Sequence, residues 1–383
     1  MADRQIPLGM HNALYDIPII YTNFGVRMTS LDMDSMLLSH ARDADAQHGL
    51  KPLAVLNIHP HADYFEDELK RHNHHVGGTP DSPKYWRIPV HIVAQYGGAD
   101  AAYTGMIGEK LWVKTSDDVM TFYTMVTMNM VKECLGMRVS GIKLDIPYLK
   151  ETGVRVTREL AEKLAEIREE IGKPDFNPGS PDQLKALFFD QLKLPTGRRG
   201  KTGFSTDKDE LERLAKLHPT PKKIVEYRKL GKLKGTYLDS LVEEADEEGY
   251  FHPDISLHGT RTGRCSMSRF HQIPKGPLIR KAIIAPEGYV LCGGDHSQVE
   301  ARVLAHFSQD PELLFIYKNG LDIHSATAQY MFDMECEIDQ VKKLFPEKRD
   351  EGKVVNFALL YLETIQGLAH QLGCSWADAK VKY

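Results

Sequence analysis

The stretch Gly294-Asp295-His296-Ser297-Gln298-Val299-Glu300-Ala301-Arg302 constrains this chain more than any other. Before it, Tyr289, Val290, Leu291 and Cys292 make a short apolar run closed by Gly293 and Gly294, which predicts a buried strand. After it, Val299, Val303, Leu304 and Phe307 recur among Glu300, Arg302 and His306, which predicts an amphipathic helix. A carboxylate at that junction would face a cleft from a backbone held by the sheet, a common mounting for a metal-binding aspartate. Read alone, the same pattern also fits an aspartate that does no more than cap the helix.

A second stretch narrows the choice. Arg349, Lys353, Phe357 and Tyr361 recur every fourth residue, which on an α-helix drifts by about forty degrees per step and keeps all four near one face. Two cations followed by two aromatic rings suit a ligand with an anionic end and a flat end, as a nucleoside triphosphate has. Guanidinium and ammonium groups hold phosphate oxygens, and rings meet base and sugar. Alone, the stripe also fits a solvated basic turn followed by a core-facing aromatic pair.

Together the two stretches resemble DNA polymerase family A, the DNA polymerase I family, and particularly its phage members. Asp295 to Arg302 resembles motif A, D-Y-S-Q-I-E-L-R, and Arg349 to Tyr361 resembles motif B, R-x3-K-x7-Y-G. The resemblance implies template-directed addition of deoxynucleotides to a primer by phosphoryl transfer, with two magnesium ions as cofactors. It assigns the metals to Asp295, joined by the carbonyl of His296, and catalytic charge neutralisation to Lys353. Nucleotide contacts fall on Gln298, Glu300, His324, Arg349, Lys353, Phe357 and Tyr361. Glu300 is the implied steric gate against a ribose hydroxyl, hydrogen-bonded to Tyr361. His324 belongs to Asp322-Ile323-His324-Ser325-Ala326-Thr327-Ala328, similar to the family's D-I-H-x-x-T-A; by itself this segment also reads as a capped helix.

Other segments agree in order. Gly141-Ile142-Lys143-Leu144-Asp145 resembles a G-I-x-x-D turn near the start of the polymerase region, and Asn177 to Leu184 resembles N-x-x-S-P-x-Q-L. Lys201 to Thr206 with the helix around Tyr227 to Lys234, including Lys232 and Lys234, resembles the thumb and its base. Thr262-Gly263-Arg264 and Arg269-Phe270-His271-Gln272-Ile273-Pro274 resemble T-G-R-L-S-S and N-L-Q-N-I-P. That match sets Thr262, Arg264, His271 and Gln272 against duplex DNA, where minor-groove contacts meet acceptors common to all base pairs. The departures are Cys265, His271 and Gln272 in these segments, and Ala358 and Leu362 where motif B keeps glycine.

The N-terminal region, 1–115, resembles a 3'-5' exonuclease. Asn12 and Asp16 match N-x3-D, and Tyr96 and Asp100 match Y-x3-D. The resemblance implies metal binding by Asp16 and Asp100, with Tyr96 positioning water. Each residue alone is better read as a cap or surface group. The D-x-E half of that site is missing from the sequence, so the expectation is an inactive nuclease. A degenerate nuclease as the whole function is the weakest of the alternatives. His59, His61, His72, His74 and His75 have no familiar zinc spacing, and Gly197 to Gly203 lacks the P-loop spacing.

The implied fold is mixed α/β, an incomplete RNase H-like exonuclease domain (1–115) followed by a right-hand polymerase domain (116–383). Its thumb is expected near 123–250, part of the palm near 251–315 and part of the fingers near 316–383. At 383 residues with 42% hydrophobic composition, two or three packed domains are affordable. Phe122, Met125, Val126, Met130, Val131 and Leu135 recur at helical spacing and are expected in a core. The net charge of -5 leaves DNA contact to local patches. From Lys185 to Lys234 fourteen Lys or Arg face six Asp or Glu, enough excess for a phosphate track. Five cysteines without a C-x-x-C pair argue against a disulfide or zinc framework, and the start of the chain lacks a signal peptide, so a cytoplasmic location is expected.

The family's second metal aspartate lies in an H-D-E motif, which this sequence lacks. The expected partners are therefore primer-template DNA, deoxynucleoside triphosphates and a second polypeptide carrying the rest of fingers and palm, with no membrane. The alternative function is a non-catalytic clamp that holds primer-template DNA.

Overall fold

The computed structural model describes residues 8–28, 30–197, 199–200 and 203–383. The chain forms two compact units, Met1–Leu291 and Cys292–Tyr383. Helices dominate the mixed architecture, and the strands are two-residue pairings. Gly9–Met10 runs parallel to Met33–Asp34, while Ile142–Lys143 with Tyr250–Phe251 and Ile255–Ser256 with Ser266–Met267 are antiparallel. Arg198, Lys201 and Thr202, from the expected loop and thumb segment, lie outside the described residues, as does the stretch 1–7.

In the first unit, one buried carboxylate starts two helices. Asp34 accepts hydrogen bonds from the backbone N–H groups of Asn12 (3.2 Å) and Ala13 (2.7 Å) at the start of the Ala13–Phe24 helix. It also accepts from Met36 (3.0 Å) and Leu37 (3.2 Å) at the start of the Ser35–Arg42 helix. Four otherwise unpaired helix-end donors are thereby satisfied inside the protein. Burial pushes the Asp34 carboxyl up, against the pull of those donors. The Tyr123 hydroxyl accepts from the Asp34 N–H at 2.7 Å and donates to the Asp34 carbonyl at 3.1 Å, fastening a π-helical turn to the same point.

The core around this junction contains Leu14, Ile17, Leu38, Tyr123 and Val131 and continues to Ile255 and Leu257. Residues of the expected 1–115 segment thus share one core with residues beyond it. The apolar stripe expected over 122–135 divides: Val131 is buried, but Phe122, Met125, Val126 and Met130 face solvent. Here the buried face is set by Tyr123, Met128, Val131 and Cys134, because the Asp34 junction fixes the rotation of this segment about its axis.

The charged stretch from Val156 to Ile171, whose apolar residues fall at helical spacing, lies in a helix closed by Gly172 at φ 70°. That helix starts earlier than its apolar periodicity suggests, at Ile146, where Asp145 accepts from the Tyr148 N–H at 2.9 Å. The Asn177–Leu184 turn also forms. Ser180 caps the Pro181–Lys185 helix, while the Gln183 side chain accepts from the Asn177 N–H at 2.7 Å.

The strand expected over Tyr289–Cys292 is not formed. The segment is irregular, with no ladder partner among the described residues, and Val290 is 87% exposed. An apolar run fixes the wish to be buried, whereas a strand needs a second chain segment to receive its hydrogen bonds.

The second unit is helical, with a core of Val355, Ala358, Leu368, Ala369 and Ala379. The Ile323–Met331 and Pro346–Leu360 helices approach closely at Gly352. A Cβ there would sit 2.7 Å from the His324 carbonyl oxygen and 3.0 Å from the Ala328 nitrogen. At its other end the Pro346–Leu360 helix closes with bonds from the Glu363 N–H to the Ala358 carbonyl (2.8 Å) and from the Leu362 N–H to that of Leu359 (3.2 Å). This is a Schellman closure, and it places Leu362 at φ 52°, where glycine is favoured. Two substitutions should therefore have opposite signs in urea unfolding followed by amide exchange in the Ile365–Leu372 helix. Leu362→Gly should stabilise by about 0.5–1 kcal/mol, and Gly352→Ala should destabilise by about 1–3 kcal/mol.

Candidate active site

Asp295 lies exposed in irregular chain after Gly293 and Gly294, and a turn at Ser297 and Gln298 leads into the Val299–Ser308 helix. That helix secures its own entrance: Arg302 Nε donates to the Ser297 carbonyl at 2.8 Å, and its guanidinium lies 4.6 Å from the centre of the Tyr317 ring. Gln298 takes φ 55°, a left-handed conformation that costs a non-glycine residue about 1–2 kcal/mol. Its side chain supplies compensation by donating from Nε2 to Asp322 Oδ1 at 2.7 Å.

Asp322 is where three segments meet. It caps the Ile323–Met331 helix through the Ser325 N–H (3.0 Å) and accepts from the Ser325 hydroxyl (2.7 Å). It receives Gln298 from the carboxylate turn and holds Arg349 in a two-point ion pair, Nε at 2.7 Å and Nη2 at 3.1 Å. Burial pushes the Asp322 carboxyl up, but hydrogen bonds from Arg349 and Ser325 and the Arg349 charge outweigh it and hold the pKa down at about 2.

From Arg349 the Pro346–Leu360 helix carries the rest of its stripe, as its spacing predicts. The Lys353 ammonium lies 5.9 Å from the centre of the Phe357 ring, and Phe357 stacks on Tyr361 at 6.0 Å and 10°. The Tyr361 hydroxyl donates to Glu300 Oε2, so the pairing expected between motifs A and B is present. His324 packs 5.8 Å from Phe357, and its Nδ1 lies 3.2 Å from the Asn356 amide nitrogen. Thr327 donates to Asn356 Oδ1 at 3.0 Å, which orients that amide as a donor and leaves the His324 proton on Nε2. Burial pushes the His324 pKa down. These groups line a cavity of about 430 Å³ whose walls include Asp295, His296, Glu300, His324, Asn356 and Phe357. The lining brings the Asp295 and Glu300 carboxylates together with the adjoining His324 and Phe357 rings and several apolar side chains.

A two-ion metal site needs carboxylates from separate elements. Asp295 supplies one hard oxygen donor, but no group of three or more His, Cys, Asp or Glu side chains among the described residues is arranged to hold an ion. These residues do not make up a complete site for a magnesium pair.

In the first unit, the Thr260–Arg264 turn is closed by Thr260 Oγ1 donating to the Arg264 carbonyl at 2.9 Å, with Gly263 at φ 69°. Thr262 and Arg264 are exposed on it. His271 Nδ1 accepts from the Met267 N–H at 3.1 Å, and the Gln272 carbonyl accepts from the Tyr237 hydroxyl. Lys232 is exposed, whereas Lys234 is paired with Asp239 at 2.6 Å. At the N-terminal end, Tyr96 and Asp100 lie one turn apart on the Val90–Val113 helix. The cation at Asp100 is the Lys51 ammonium, which also lies 4.6 Å from the centre of the Tyr96 ring. Burial, and then the Asp100 charge, pushes the Tyr96 hydroxyl up. Asn12 holds φ 63° at the head of the helix that carries Asp16, and burial alone pushes the Asp16 carboxyl up.

The model of DNA polymerase family A matches residues 146–383, well over half of the chain. This chain belongs to DNA polymerase family A. The family A chain is 31% identical to DNA polymerase I of Chloroflexus aurantiacus, over 97% of its own length and 40% of that relative. It is 34% identical to the thermostable DNA polymerase I of Thermus aquaticus, over 76% of its length and 36% of that relative. Among solved structures, the POL domain of Pol1 from M. smegmatis in complex with DNA primer-template and dNTP superposes with a TM-score of 0.79 at 25% identity. That likeness covers all of this chain and 63% of the other. The chain thus spans about two fifths of the length of these curated relatives.

Sequence reasoning about the family A motifs missed three residues that organise the sites. Asp322 carries the signal of a helix cap, and nothing local marks its second use for Arg349 and Gln298. Asn356 is apparent only once the two helices are paired. Lys51 lies outside every quoted motif, although its side chain is largely buried and its ammonium pairs with Asp100.

The depressed pKa of Asp322 fixes a sign for acid unfolding. Its network contributes fully above about pH 4 and is lost as the pH falls toward 2, with a total of roughly 2 kcal/mol. The difference in unfolding free energy between the unaltered chain and Asp322→Asn should therefore shrink as pH is lowered from 5 to 2, measured by urea titration at each pH.

Proposed function

We propose that this chain is a nucleotide- and DNA-binding part of a template-directed DNA polymerase. The observation that carries the proposal is the Glu300–Tyr361 hydrogen bond, which joins motif A to motif B across a cavity shared with His324, Phe357 and Asp295. The M. smegmatis relative is described as bound to DNA primer-template and dNTP, which supports the same ligands here.

In this reading the triphosphate lies along the Lys353 end of the stripe and the base and sugar lie against Phe357 and Tyr361. His324, with its proton on Nε2, donates to a phosphate oxygen. Lys353 neutralises charge that builds on the phosphates during transfer. Glu300 stands beside the sugar. Its carboxylate is fixed by Tyr361, so a ribose 2'-hydroxyl would have to displace an ordered group. Gln298 holds the turn behind Asp295. Thr262, Arg264, His271, Gln272 and Lys232 face the primer-template, and Lys234 joins them on leaving Asp239.

Region 1–115 is read as an RNase H-like 3'-5' exonuclease portion with Asn12, Asp16, Tyr96 and Asp100 as its remnant site. Region 116–383 is read as thumb, partial palm and partial fingers. Family A chemistry uses divalent metal, and magnesium is the proposed ion. With Asp295 as the one carboxylate assigned to metal among the described residues of this site, the second metal ligand is proposed to come from the rest of the family A region. The same single carboxylate favours the second reading, a clamp that holds primer-template DNA without forming bonds.

Primer extension by this chain, mixed with a polypeptide that supplies the remaining family A region, separates the two readings. Extension should appear only in the mixture and fall by at least a hundredfold with Asp295→Ala. Extension unaffected by that substitution would refute the polymerase reading of the site. Glu300→Ala in the same mixture should raise ribonucleotide incorporation relative to deoxynucleotide, read from kcat/KM for the two substrates. In direct titration with dATP, Lys353→Ala should weaken binding roughly tenfold.

A further inference from the structure

The polymerase reading treats Arg349 and Lys353 as a pair of phosphate-binding cations, but their surroundings differ. Arg349 has its Nε and Nη2 committed to the two oxygens of Asp322, and its remaining Nη1 lies 3.8 Å from Asp350 Oδ1. The fork that would take two phosphate oxygens already holds a carboxylate. Lys353, by contrast, is exposed, with its ammonium 5.9 Å from the centre of the Phe357 ring.

We infer that Asp322 is a resting counter-ion for Arg349, competing with the triphosphate for the guanidinium and linking its release to the Gln298 turn beside Asp295. The inference rests on the cavity being a triphosphate site. A carboxylate in two-point contact with a cation opposes an incoming polyanion both by occupying the fork and by its own charge. When a triphosphate draws Arg349 away, Asp322 keeps the Ser325 N–H, the Ser325 hydroxyl and Gln298 Nε2 as donors. It is therefore not left unpaired, which makes the exchange feasible. Gln298 and Arg349 share Oδ1, so loss of one donor strengthens the hold on the other. Triphosphate arrival at the Pro346–Leu360 helix would thus tighten the turn that precedes the Val299–Ser308 helix. Asp322 acts in this scheme as a positioning residue with no contact to the nucleotide itself.

The inference gives binding a sign that a purely structural aspartate would not. Asp322→Asn keeps a side-chain oxygen to cap Ser325 but removes the charge that holds Arg349. It should tighten dATP binding to the full chain by roughly tenfold at low ionic strength, while binding by the Arg349→Ala chain should gain nothing from adding Asp322→Asn. Unchanged or weaker binding by Asp322→Asn, with Lys353→Ala still weakening the unaltered chain, overturns the counter-ion inference and leaves the triphosphate reading standing. No saturable dATP binding by the unaltered chain overturns both. Should Asp322→Asn fail to fold, the Arg349 Nε–Hε resonance of the unaltered chain decides the matter. It must shift in proportion to dATP occupancy, and a resonance that stays fixed at saturation contradicts the exchange.

Discussion

One half-buried carboxylate, Asp322, holds the second unit's site together. Its two oxygens collect donors from the turn after Asp295, from the first turn of the Ile323–Met331 helix and from Arg349 on the Pro346–Leu360 helix. Each segment carries part of the candidate chemistry: Asp295 and Glu300 on the first, His324 on the second, Lys353, Phe357 and Tyr361 on the third. A charge in this position is stable because it is fully supplied with donors, and removing one supplier leaves the others with an underpaired ion. The close helix approach at Gly352 and the Thr327–Asn356–His324 chain complete the same union by packing and neutral hydrogen bonds.

Four non-glycine residues of the second unit lie in left-handed backbone, Gln298, Gln309, Asp333 and Leu362, and the first and last of them bear on the site and its helix. Gln298 at φ 55° is offset by its bond to Asp322, which makes the strained turn part of the site. Leu362 at φ 52° has no such return, since its side chain is exposed beyond the helix end. The helix closes there through backbone bonds that any residue can make, and it tolerates the leucine at a cost.

What could be read from the sequence follows the range of the forces involved. The Arg349, Lys353, Phe357 and Tyr361 stripe depends on helical geometry within one segment, and the rings do stack along one face. The helix that ends at Gly172 and the Ser180 cap are likewise local. Ordered motifs carried the family, and the match over 146–383 agrees with them. Features that need a distant partner were not legible. Tyr289 to Cys292 has the composition of a strand but lacks a ladder to join among the described residues. Phe122, Met125 and Met130 have the spacing of a core stripe but turn outward, because Tyr123 is anchored to Asp34, far away in sequence. Asp322 was legible as a cap, while its ion pair with Arg349 depends on two helices meeting.

The claim that one carboxylate couples motif A to motif B is tested most directly by a double-mutant cycle between Gln298 and Arg349, whose common partner is Asp322. Unfolding free energies of Gln298→Ala, Arg349→Ala and the double variant should show a coupling of about 0.5–1 kcal/mol, and that coupling should vanish when the cycle is repeated with Asp322→Ala. Effects of Gln298→Ala and Arg349→Ala that add within about 0.3 kcal/mol while Asp322 is present would contradict the account.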